Sequence, residues 1–350
     1  MKKLSIFLLL IILFSLTSCS AINTTKKTSK EVTTTEYIEP IDVYSFHTDN
    51  QESYLLDKYE NFALYARGVE ELSIPNKIEI KIGNDYRSYT VILSEHEDLS
   101  DSITIKTKNN KLELLNLKMN TVYYYTVDES EVYKFKTDSK GPRNLSVDGV
   151  TNIRDVGGWN GSNQGLIYRS SKFNKDESDE LIITDKGIDT LVNELGIKTE
   201  IDLRKEVENG DITLSPLGFK INYIHIPMQS GGNILTLNKE KLKDLFEVFG
   251  DESNYPIVFH CSIGTDRTGL VAFLINGLLG VKEEDLYRDY LFSNFGVIGK
   301  MRTPSSIKDY ITVLNNFSSG DTLKEKIYNY LVDNGVDKND IDTLIKIMGK

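Results

Sequence analysis

The sequence predicts a two-part protein, in which an all-β sandwich precedes an α/β half built on a parallel-rich sheet flanked by helices. Short runs of alternating apolar and polar residues fill the amino-terminal part, and strands alternate with amphipathic helices after residue 143. The length of 350 residues leaves room for two hydrophobic cores. With 39% hydrophobic and 27% charged residues, the composition excludes a wholly disordered or fibrous chain.

The first nineteen residues have the layout of an export signal. A basic start, Met1-Lys2-Lys3, leads into an apolar run over 4–16 that is too short to span a bilayer comfortably. The Leu-Thr-Ser-Cys sequence that ends at Cys19 resembles the lipobox of bacterial lipoproteins. This resemblance implies a signal peptide over 1–18, a lipid on Cys19 and attachment to the outer face of the bacterial cell membrane. An uncleaved membrane anchor is the alternative.

Residues 19–36 are mostly Thr, Lys and Ser, and this composition predicts a flexible tether. The segment 37–138 that follows is predicted to be all β, because its apolar residues alternate with period two between turn residues. Five strands are expected, over 77–82, 89–93, 102–105, 123–127 and 132–136.

A short sequence before the fourth strand suggests the type of sandwich. Leu117 and Tyr123 stand six residues apart, an arrangement that resembles the tyrosine corner of fibronectin type III domains. The resemblance implies an immunoglobulin- or fibronectin-like sandwich over 37–138. It leaves open whether this module is a spacer or binds a ligand.

The half over 139–350 follows a breaker-rich linker and alternates strands with helices. Thr184 is expected to cap a helix that Gly196 ends, and Asp337 is expected to cap the last helix. Strands are expected over 198–203 and 256–259, and a helix over the apolar series Leu242, Leu245, Phe246 and Phe249. Alternating β and α units predict a parallel sheet with helices on its faces.

The chemistry is concentrated in the ten residues after the strand 256–259, which read H-C-S-I-G-T-D-R-T-G. A strand that feeds a tight loop into a helix groups backbone N–H donors around an anion. The positive end of the helix lowers the pKa of a thiol at the loop entrance, the position of Cys261. Arg267, six residues later, is placed to bind two oxygens of the same anion.

This segment resembles the H-C-x5-R-[ST]-G signature of the cysteine-based protein tyrosine phosphatase superfamily. Three upstream blocks, N-I-R-D-V-G-G at 152–158, Y-R-S-S at 168–171 and I-D-L-R at 201–204, are similar to those of bacterial tyrosine/lipid dual-activity phosphatases. Asp289-Tyr290 and Ser293-Asn294 also fit that group. The resemblance covers about 140–350 and implies a cysteine phosphatase fold in a secreted or surface enzyme.

The resemblance also implies roles for the signature residues. Cys261 is expected to be the nucleophile that forms a cysteinyl-phosphate. Arg267 and the loop amides are expected to bind the phosphoryl oxygens, with Gly264 allowing the turn. The predicted phosphate-binding residues are Ser262, Ile263, Gly264, Thr265, Asp266 and Arg267.

Seven further residues are expected to support the loop. His260 is assigned to orienting it, and Thr268 either donates to the Cys261 sulfur or caps the helix. Asn152, Arg154 and Asp155 are expected to brace the loop from the side. The strand-end residues Asp202 and Arg204 fit either a site or a scaffold role.

The general acid is not settled by the motif. The Trp-Pro-Asp sequence of many superfamily members is absent, since Trp159 precedes Asn160. Asp266 is the first candidate because lipid-phosphatase relatives are thought to use this loop aspartate. Asp202 is the second candidate and Asp155 the third. A salt bridge that positions Arg267 is the alternative role for Asp266.

Thr265 departs from the resembling phosphatases, which commonly carry lysine at this position. The loss of that charge weakens the case for phosphoinositide substrates and leaves simple monoesters unaffected. Four arginines are candidates to restore positive charge at the rim of the site, namely Arg154, Arg169, Arg204 and Arg302.

Composition excludes several other functions. Asp and Glu outnumber Lys and Arg by 52 to 41, and a net charge of −11 argues against a nucleic-acid partner. Two cysteines and four histidines exclude a disulfide framework and a cysteine-rich zinc site. No metal or cofactor is predicted. Sulfur transfer and arsenate reduction are disfavoured by the long signature and the missing second redox cysteine.

The predicted function is that of a phosphomonoester hydrolase, a protein-tyrosine or dual-specificity-like phosphatase acting outside the membrane. Its predicted partners are a phosphorylated protein, peptide or inositol lipid substrate, and the membrane that holds the Cys19 lipid. A phosphoinositide or inositol phosphate phosphatase is one alternative. A catalytically degenerate phosphate-binding surface lipoprotein is an alternative of another class.

Overall fold

The computed structural model describes residues 41–174 and 182–349. The expected signal peptide, the lipid site at Cys19 and the tether lie outside these residues and stay predictions. Within the described part of the chain, no helix has both the length and the apolar character needed to cross a membrane.

Seven strands form the amino-terminal module of the described chain. They are β1 Val43–Tyr44, β2 Ile78–Lys81, β3 Tyr89–Ser94, β4 Ile103–Thr107, β5 Lys111–Leu114, β6 Val122–Val127 and β7 Tyr133–Thr137. Five pair in the order β1-β7-β6-β3-β4, and β2 pairs with β5. Alternate residues of β2 and β5 are buried, as period-two alternation predicts. Each of the five predicted runs contains or overlaps one of these strands.

The expected tyrosine-corner contact is present. The hydroxyl of Tyr123, near the start of β6, accepts a hydrogen bond from the backbone N–H of Lys118 at 2.8 Å. Its ring stacks on Phe135 of β7, with the ring centroids 5.5 Å apart. This contact ties the loop before β6 to the core, as in fibronectin-like sandwiches. The fibronectin type III assignment itself stays a prediction.

One stretch of the predicted all-β segment is helical, and the prediction is wrong there. Helix α1, Asp49–Leu56, begins with a capping box between Thr48 and Gln51, and a 3-10 helix, Tyr59–Leu64, follows it. The stretch carries a helix-start signal and no period-two alternation. Tyr54 is fully buried against the carboxy-terminal half, and its ring centroid lies 5.8 Å from that of Phe295.

Backbone hydrogen bonds join the chain after this helical stretch to the carboxy-terminal half. The N–H of Gly68 donates to the carbonyl of Asn294 at 2.7 Å, and the N–H of Ile298 donates back to Gly68 at 3.0 Å. Leu72 donates to the carbonyl of Phe295 at 2.7 Å. Residues 68–72 therefore hold the loop 294–298 as a neighbouring strand would.

The carboxy-terminal half is built on a second sheet of five strands. They are β8 Arg154–Asp155, β9 Ile167–Ser170, β10 Thr199–Asp202, β11 Asn222–His225 and β12 Ile257–His260. Their order is β11-β10-β12-β9-β8, and all neighbours are parallel except β8 and β9. The prediction of a parallel-rich sheet flanked by helices is confirmed.

Nine helices surround this sheet within the described residues. They are α2 Asp185–Asp189, which continues as a π-helical turn Thr190–Glu194, α3 Glu206–Asn209, α4 Ile234–Leu237, α5 Lys239–Phe249, α6 Asp266–Leu278, α7 Glu283–Phe292, α8 Ser305–Phe317, α9 Leu323–Asp333 and α10 Lys338–Met348. Short 3-10 turns occupy Trp159–Gly161, Glu252–Asn254 and Ser293–Phe295.

Local sequence signals account for several of these helices. The Thr184 hydroxyl accepts from the N–H of Gly187 at 3.1 Å, and Asp337 caps α10 through the N–H of Asn339 at 2.9 Å. All four apolar residues expected on α5 are buried. Helix α6 is buried from Arg267 to Leu278, so it runs through the middle of the core. The central strand β12 leads through a five-residue loop into this helix.

Candidate active site

The signature residues lie where β12 ends and α6 begins. Cys261 directly follows the last residue of β12, and Arg267 lies in the first turn of α6. Both side chains are nearly buried, with 2% of Cys261 and 5% of Arg267 exposed. The strand and the helix therefore bring the predicted nucleophile and guanidinium to one place.

The carbonyls of the connecting loop bond to neighbouring elements. The side-chain amide of Asn152 donates to the carbonyls of Ile263 and Gly264, each at 3.0 Å. Nη2 of Arg169 also donates to Gly264, at 2.9 Å. A trans peptide directs N–H and C=O to opposite sides, so the amides of Gly264 and Thr265 point the other way. No described residue accepts from these amides, which leaves them available to an anion.

Glycine is required at position 264 for two reasons. Its φ of +71° lies in the left-handed region that residues with a side chain rarely adopt. A Cβ at this position would lie 2.5 Å from the backbone carbonyl carbon of Ser170. The loop therefore packs directly on the end of β9, and the close approach is to protein backbone.

Thr265, where the resembling phosphatases carry lysine, is fully buried. Its hydroxyl accepts from the amide of Asn152 at 3.2 Å and donates to the carbonyl of Ile263 at 3.4 Å. The residue closes the loop on itself and adds no charge to the site.

The surroundings of Cys261 favour a thiolate. Burial alone raises its pKa, but the positive charge of Arg267 and the hydroxyl and amide of Thr268 outweigh that effect and lower it below the usual thiol value. The Thr268 hydroxyl is buried, and no described atom meets standard hydrogen-bond geometry with it. The effect of this hydroxyl on the pKa of Cys261 indicates that it lies near the sulfur, in line with the first of the two predicted roles.

A carboxylate that sequence analysis missed holds Arg267. Glu208 of α3 places Oε2 2.5 Å from Nη1 of Arg267. Nη2 of the same guanidinium lies 3.3 Å from the Ser262 hydroxyl. Longer hydrogen bonds reach the carbonyls of Leu203 and Met228, at 3.3 and 3.4 Å. No motif surrounds Glu208, so no sequence signal pointed to it.

His260 lies beneath the loop between two buried carboxylates. Its Nε2 is 2.9 Å from Oε1 of Glu200, and its Nδ1 is 3.3 Å from the carbonyl of Cys261. Burial lowers the pKa of His260, but the charge of Asp202 and the hydrogen bond that the ring donates to Glu200 raise it above the usual value. These contacts hold the His260 ring beneath the loop, which is compatible with the predicted orienting role.

Asp202 and Arg204 form a buried pair, with 2.6 Å between Oδ2 and Nη2. Burial raises the pKa of Asp202, but the charge of His260 and the bonds from Arg204 overcome this and hold it at about 2. A fully buried carboxyl with so low a pKa does not suit a proton donor at neutral pH. The structure therefore places this pair in the scaffold under the site.

Arg154 and Arg169 share one buried carboxylate. Nε of Arg154 is 2.8 Å from Oδ1 of Asp289, and Nη1 of Arg169 is 2.6 Å from Oδ2. Burial raises the pKa of Asp289, but the two positive charges lower it below the usual value. Arg154 also donates to Oδ1 of Asn152 at 2.5 Å. It thus acts on the loop through Asn152 and not by direct contact.

Asp155 does not brace the signature loop, contrary to the prediction. It is fully buried and accepts hydrogen bonds from Nη1 of Arg143 at 2.8 Å and from the N–H of Gly157 at 2.8 Å. Arg143 in turn donates from Nε to the carbonyl of Leu117 at 2.9 Å. The residue therefore links the two halves of the chain, because its strand end faces the amino-terminal module.

Asp266 is half-buried at the start of α6 and pairs with a different arginine from the one expected. Nε and Nη2 of Arg302 each lie 2.8 Å from one of its carboxylate oxygens. The hydroxyl of Tyr290 donates to Oδ1 at 3.2 Å. Of the four candidate rim arginines, Arg302 alone is partly exposed, and the other three are buried in ion pairs. Among the described residues, no cluster of three His, Cys, Asp or Glu has the arrangement of a metal site.

A Cupriavidus necator protein that carries the name of a tyrosine-protein phosphatase is 26% identical over 185 residues, which is 44% of this chain and 64% of the relative. The core catalytic domain of the yeast PP-IP phosphatase SIW14 is 21% identical, covers 44% of this chain and 92% of that one, and has a TM-score of 0.30.

Pseudomonas aeruginosa TpbA is 17% identical, covers 47% of this chain and 88% of its own, and has a TM-score of 0.31. At such scores neither structural likeness bears on the fold or activity of this chain. The model of the tyrosine phosphatase family, in contrast, matches residues 145–348, more than half of the sequence and the whole signature loop. The chain belongs to the tyrosine phosphatase family.

Proposed function

We propose that the protein is a phosphomonoester hydrolase that works through a cysteinyl-phosphate intermediate outside the cell membrane. The observation that carries the proposal is the position of Cys261, a buried thiol of lowered pKa beside the Arg267 guanidinium. The loop amides of Gly264 and Thr265 have no described protein acceptor. Together these groups form an anion site with a nucleophile at its base.

The reaction has two steps. The Cys261 thiolate attacks phosphorus, the S–P bond forms and the bond from phosphorus to the leaving oxygen breaks. Arg267 and the loop amides stabilise the charge on the three equatorial oxygens during this transfer. Water then attacks phosphorus, the S–P bond breaks and the thiolate is restored, with inorganic phosphate as the second product.

A substrate with a single phosphate on a protein or peptide fits this site best. Thr265 is neutral, buried and hydrogen-bonded within the loop, so it offers no charge to a second phosphate. Phosphotyrosine is therefore the first substrate to test. Phosphoinositides and inositol phosphates are the alternative, supported by the partly exposed Arg302 at the edge of the site.

The extracytoplasmic location rests on the lipobox-like sequence that ends at Cys19. A degenerate phosphate-binding lipoprotein is disfavoured because the nucleophile, the guanidinium and the loop amides are all retained. A protein that only binds phosphate does not require a thiol of lowered pKa in its anion site.

Hydrolysis of p-nitrophenyl phosphate by the full-length protein in detergent tests the proposal. Cys261→Ser is expected to abolish turnover while still binding inorganic phosphate. Cys19→Ser, the same exchange at the other cysteine, should keep turnover and lose the lipid and the membrane attachment. Retained turnover in Cys261→Ser would overturn the nucleophile assignment. A panel of phosphotyrosine peptides, phosphoserine peptides and phosphoinositides then ranks the substrates.

A further inference from the structure

Asn152 holds three acceptors of the signature loop with a single nitrogen. Its Nδ2 donates to the carbonyls of Ile263 and Gly264, each at 3.0 Å, and to the Thr265 hydroxyl at 3.2 Å. The other end of the amide, Oδ1, accepts from Arg154. Because each peptide unit is planar, a shift of these carbonyls also turns the loop N–H groups that face the anion. The direction of the Asn152 side chain therefore bears on the geometry of the anion site.

The backbone of Asn152 is in a conformation that needs support. Its φ of +54° lies in the left-handed region, which asparagine enters more readily than most residues but still at a cost. A residue keeps such a conformation where its surroundings fix it. The loop 294–298 packs on one side, since a Cβ at Gly296 would lie 3.1 Å from the Cβ of Asn152. Further support comes from the segment 71–73, which is distant in the sequence.

Glu71 and Ser73 supply this support from the stretch that precedes β2. The Ser73 hydroxyl accepts from the N–H of Asn152 at 3.4 Å and donates to Oε1 of Glu71. The N–H of Ser73 donates to the same oxygen at 3.0 Å. The second oxygen, Oε2 of Glu71, accepts from the hydroxyl of Thr151. One carboxylate therefore binds both the residue that contacts Asn152 and the residue that precedes it.

The segment 71–73 is itself fixed in place. Nδ2 of Asn144 donates to the carbonyl of Ser73 at 2.7 Å and to Oε1 of Gln51 at 3.2 Å. Gln51, in α1, donates from Nε2 to the carbonyl of Leu72 at 2.6 Å. The N–H of Leu72 donates to the carbonyl of Phe295, as described above. These bonds hold Ser73 against the carboxy-terminal half, so its hydroxyl has a defined position beside Asn152.

We propose that Glu71 and Ser73 are positioning residues for the signature loop, which the amino-terminal module supplies and which act through Asn152. This inference rests on the proposed phosphatase activity. The hydrogen bonds run from Glu71 and Ser73 to Thr151 and Asn152, and from the Asn152 amide to the loop carbonyls. The amino-terminal module is then part of the catalytic unit and more than a spacer.

A loss of positioning differs in its effect from a loss of substrate binding. The loop amides serve the transition state best, so a small displacement of these donors weakens the transition state more than the bound substrate. The value of kcat should therefore fall while KM stays near that of wild type. Inhibition by vanadate, which adopts the five-coordinate geometry of the transition state, should weaken by about tenfold, and inhibition by inorganic phosphate by less than about twofold.

Ser73→Ala in the full-length protein in detergent is the first test. We expect kcat for p-nitrophenyl phosphate to fall by about tenfold. Ser94→Ala is the matched control, because Ser94 is similarly buried in the amino-terminal module. Its hydroxyl also accepts from a backbone N–H and donates to a backbone carbonyl, both within the segment 94–100. This control should keep the wild-type kcat, and thermal unfolding shows that both proteins are folded.

Glu71 provides a second test that leaves the core intact, because the residue is exposed. Glu71→Ala removes both acceptor oxygens and should lower kcat with little change in KM. Glu71→Gln keeps one acceptor oxygen and the length of the side chain. It should therefore restore most of the wild-type kcat.

A double-mutant cycle shows whether Ser73 acts through Asn152. Asn152→Gly removes the amide, and glycine adopts a positive φ without strain. In this background Ser73→Ala should lower kcat no further, because the side chain through which it acts is already absent.

Three results would overturn the inference. The first is a wild-type kcat in both Ser73→Ala and Glu71→Ala. The second is the same loss of kcat from Ser73→Ala with and without the Asn152 side chain. The third is an equal weakening of vanadate and phosphate inhibition. Each of them leaves the proposed phosphatase activity intact, whereas a wild-type protein with no turnover would overturn both proposals.

Discussion

Oε2 of Glu208 lies 2.5 Å from Nη1 of Arg267, so a carboxylate from a four-residue helix sets the direction of the guanidinium beside the candidate nucleophile. Arg267 has several rotatable bonds, and a free arginine would sample many orientations. The pair fixes one of them before any phosphate arrives. Preorganised charge of this kind is what an anion site needs to stabilise a transition state.

We therefore expect Glu208→Ala to lower kcat/KM by roughly tenfold to a hundredfold and also to lower stability, because the nearly buried Arg267 guanidinium loses its carboxylate partner. Hydrolysis of p-nitrophenyl phosphate and thermal unfolding measure the two effects. Glu206→Ala, an exposed neighbour on the same helix, is the control and should behave like wild type. Equal losses in both variants would show that the charge of the helix matters and the contact does not.

Gly264→Ala is expected to disrupt the loop, since the new Cβ would lie 2.5 Å from the backbone of Ser170. Gly280 has nearly the same φ, +73°, but its nearest neighbouring atom would be 4.0 Å away. Gly280→Ala therefore adds backbone strain alone, about 1 kcal/mol in urea unfolding. Gly264→Ala should lower the free energy of unfolding by more than this and should also abolish vanadate binding. Similar behaviour of the two variants would contradict the packing argument.

The lowered pKa of Cys261 predicts fast alkylation near neutral pH. The rate of reaction with iodoacetamide, followed against pH, should have its midpoint below the pKa of about 8.5 that a free cysteine shows. Thr268→Val keeps the shape of the side chain but removes the hydroxyl beside the sulfur, so the midpoint should move up. If the midpoint does not move, the Thr268 hydroxyl does not stabilise the thiolate.

The raised pKa of His260 predicts a pH-dependent stability. The folded state binds the proton more tightly than the unfolded chain, so the stabilisation is complete below about pH 6.5 and is lost as pH rises through the higher folded-state value. The free energy of unfolding is measured in urea at pH 6 and pH 8.5. The Cys261→Ser protein is used, so that ionisation of the thiol does not contribute. When His260→Gln is added, the free energy of unfolding should differ less between pH 6 and pH 8.5. A difference of the same size would show that His260 is not the group responsible.

The elements that were predicted correctly are those that depend on local sequence patterns. Strand β3 and helix α5 follow from alternation and from a 3.6-residue period, and Thr184 caps a helix at the expected place. The signature loop is a continuous segment, so its residues were found together. Helix α1 was missed although Thr48 and Gln51 give a local helix-start signal, because the alternation of the neighbouring strands was extended over it.

The contacts that set the chemistry of the site join residues that are far apart in the sequence. Glu208 lies 59 residues from Arg267, and Arg302 lies 36 residues from Asp266. No period or spacing connects such pairs, and many arginines and glutamates in the chain were equal candidates. Their partners are decided by how helices pack around the sheet, which one sequence alone does not display.

The backbone hydrogen bonds between residues 68–72 and the loop 294–298 join the amino-terminal part of the chain to the carboxy-terminal half. That loop runs on to Arg302, and Asn294 holds both ends of the connection. A continuous set of hydrogen bonds therefore connects residues 68–72, through Asn294 and Arg302, to the Asp266 carboxylate at the start of α6.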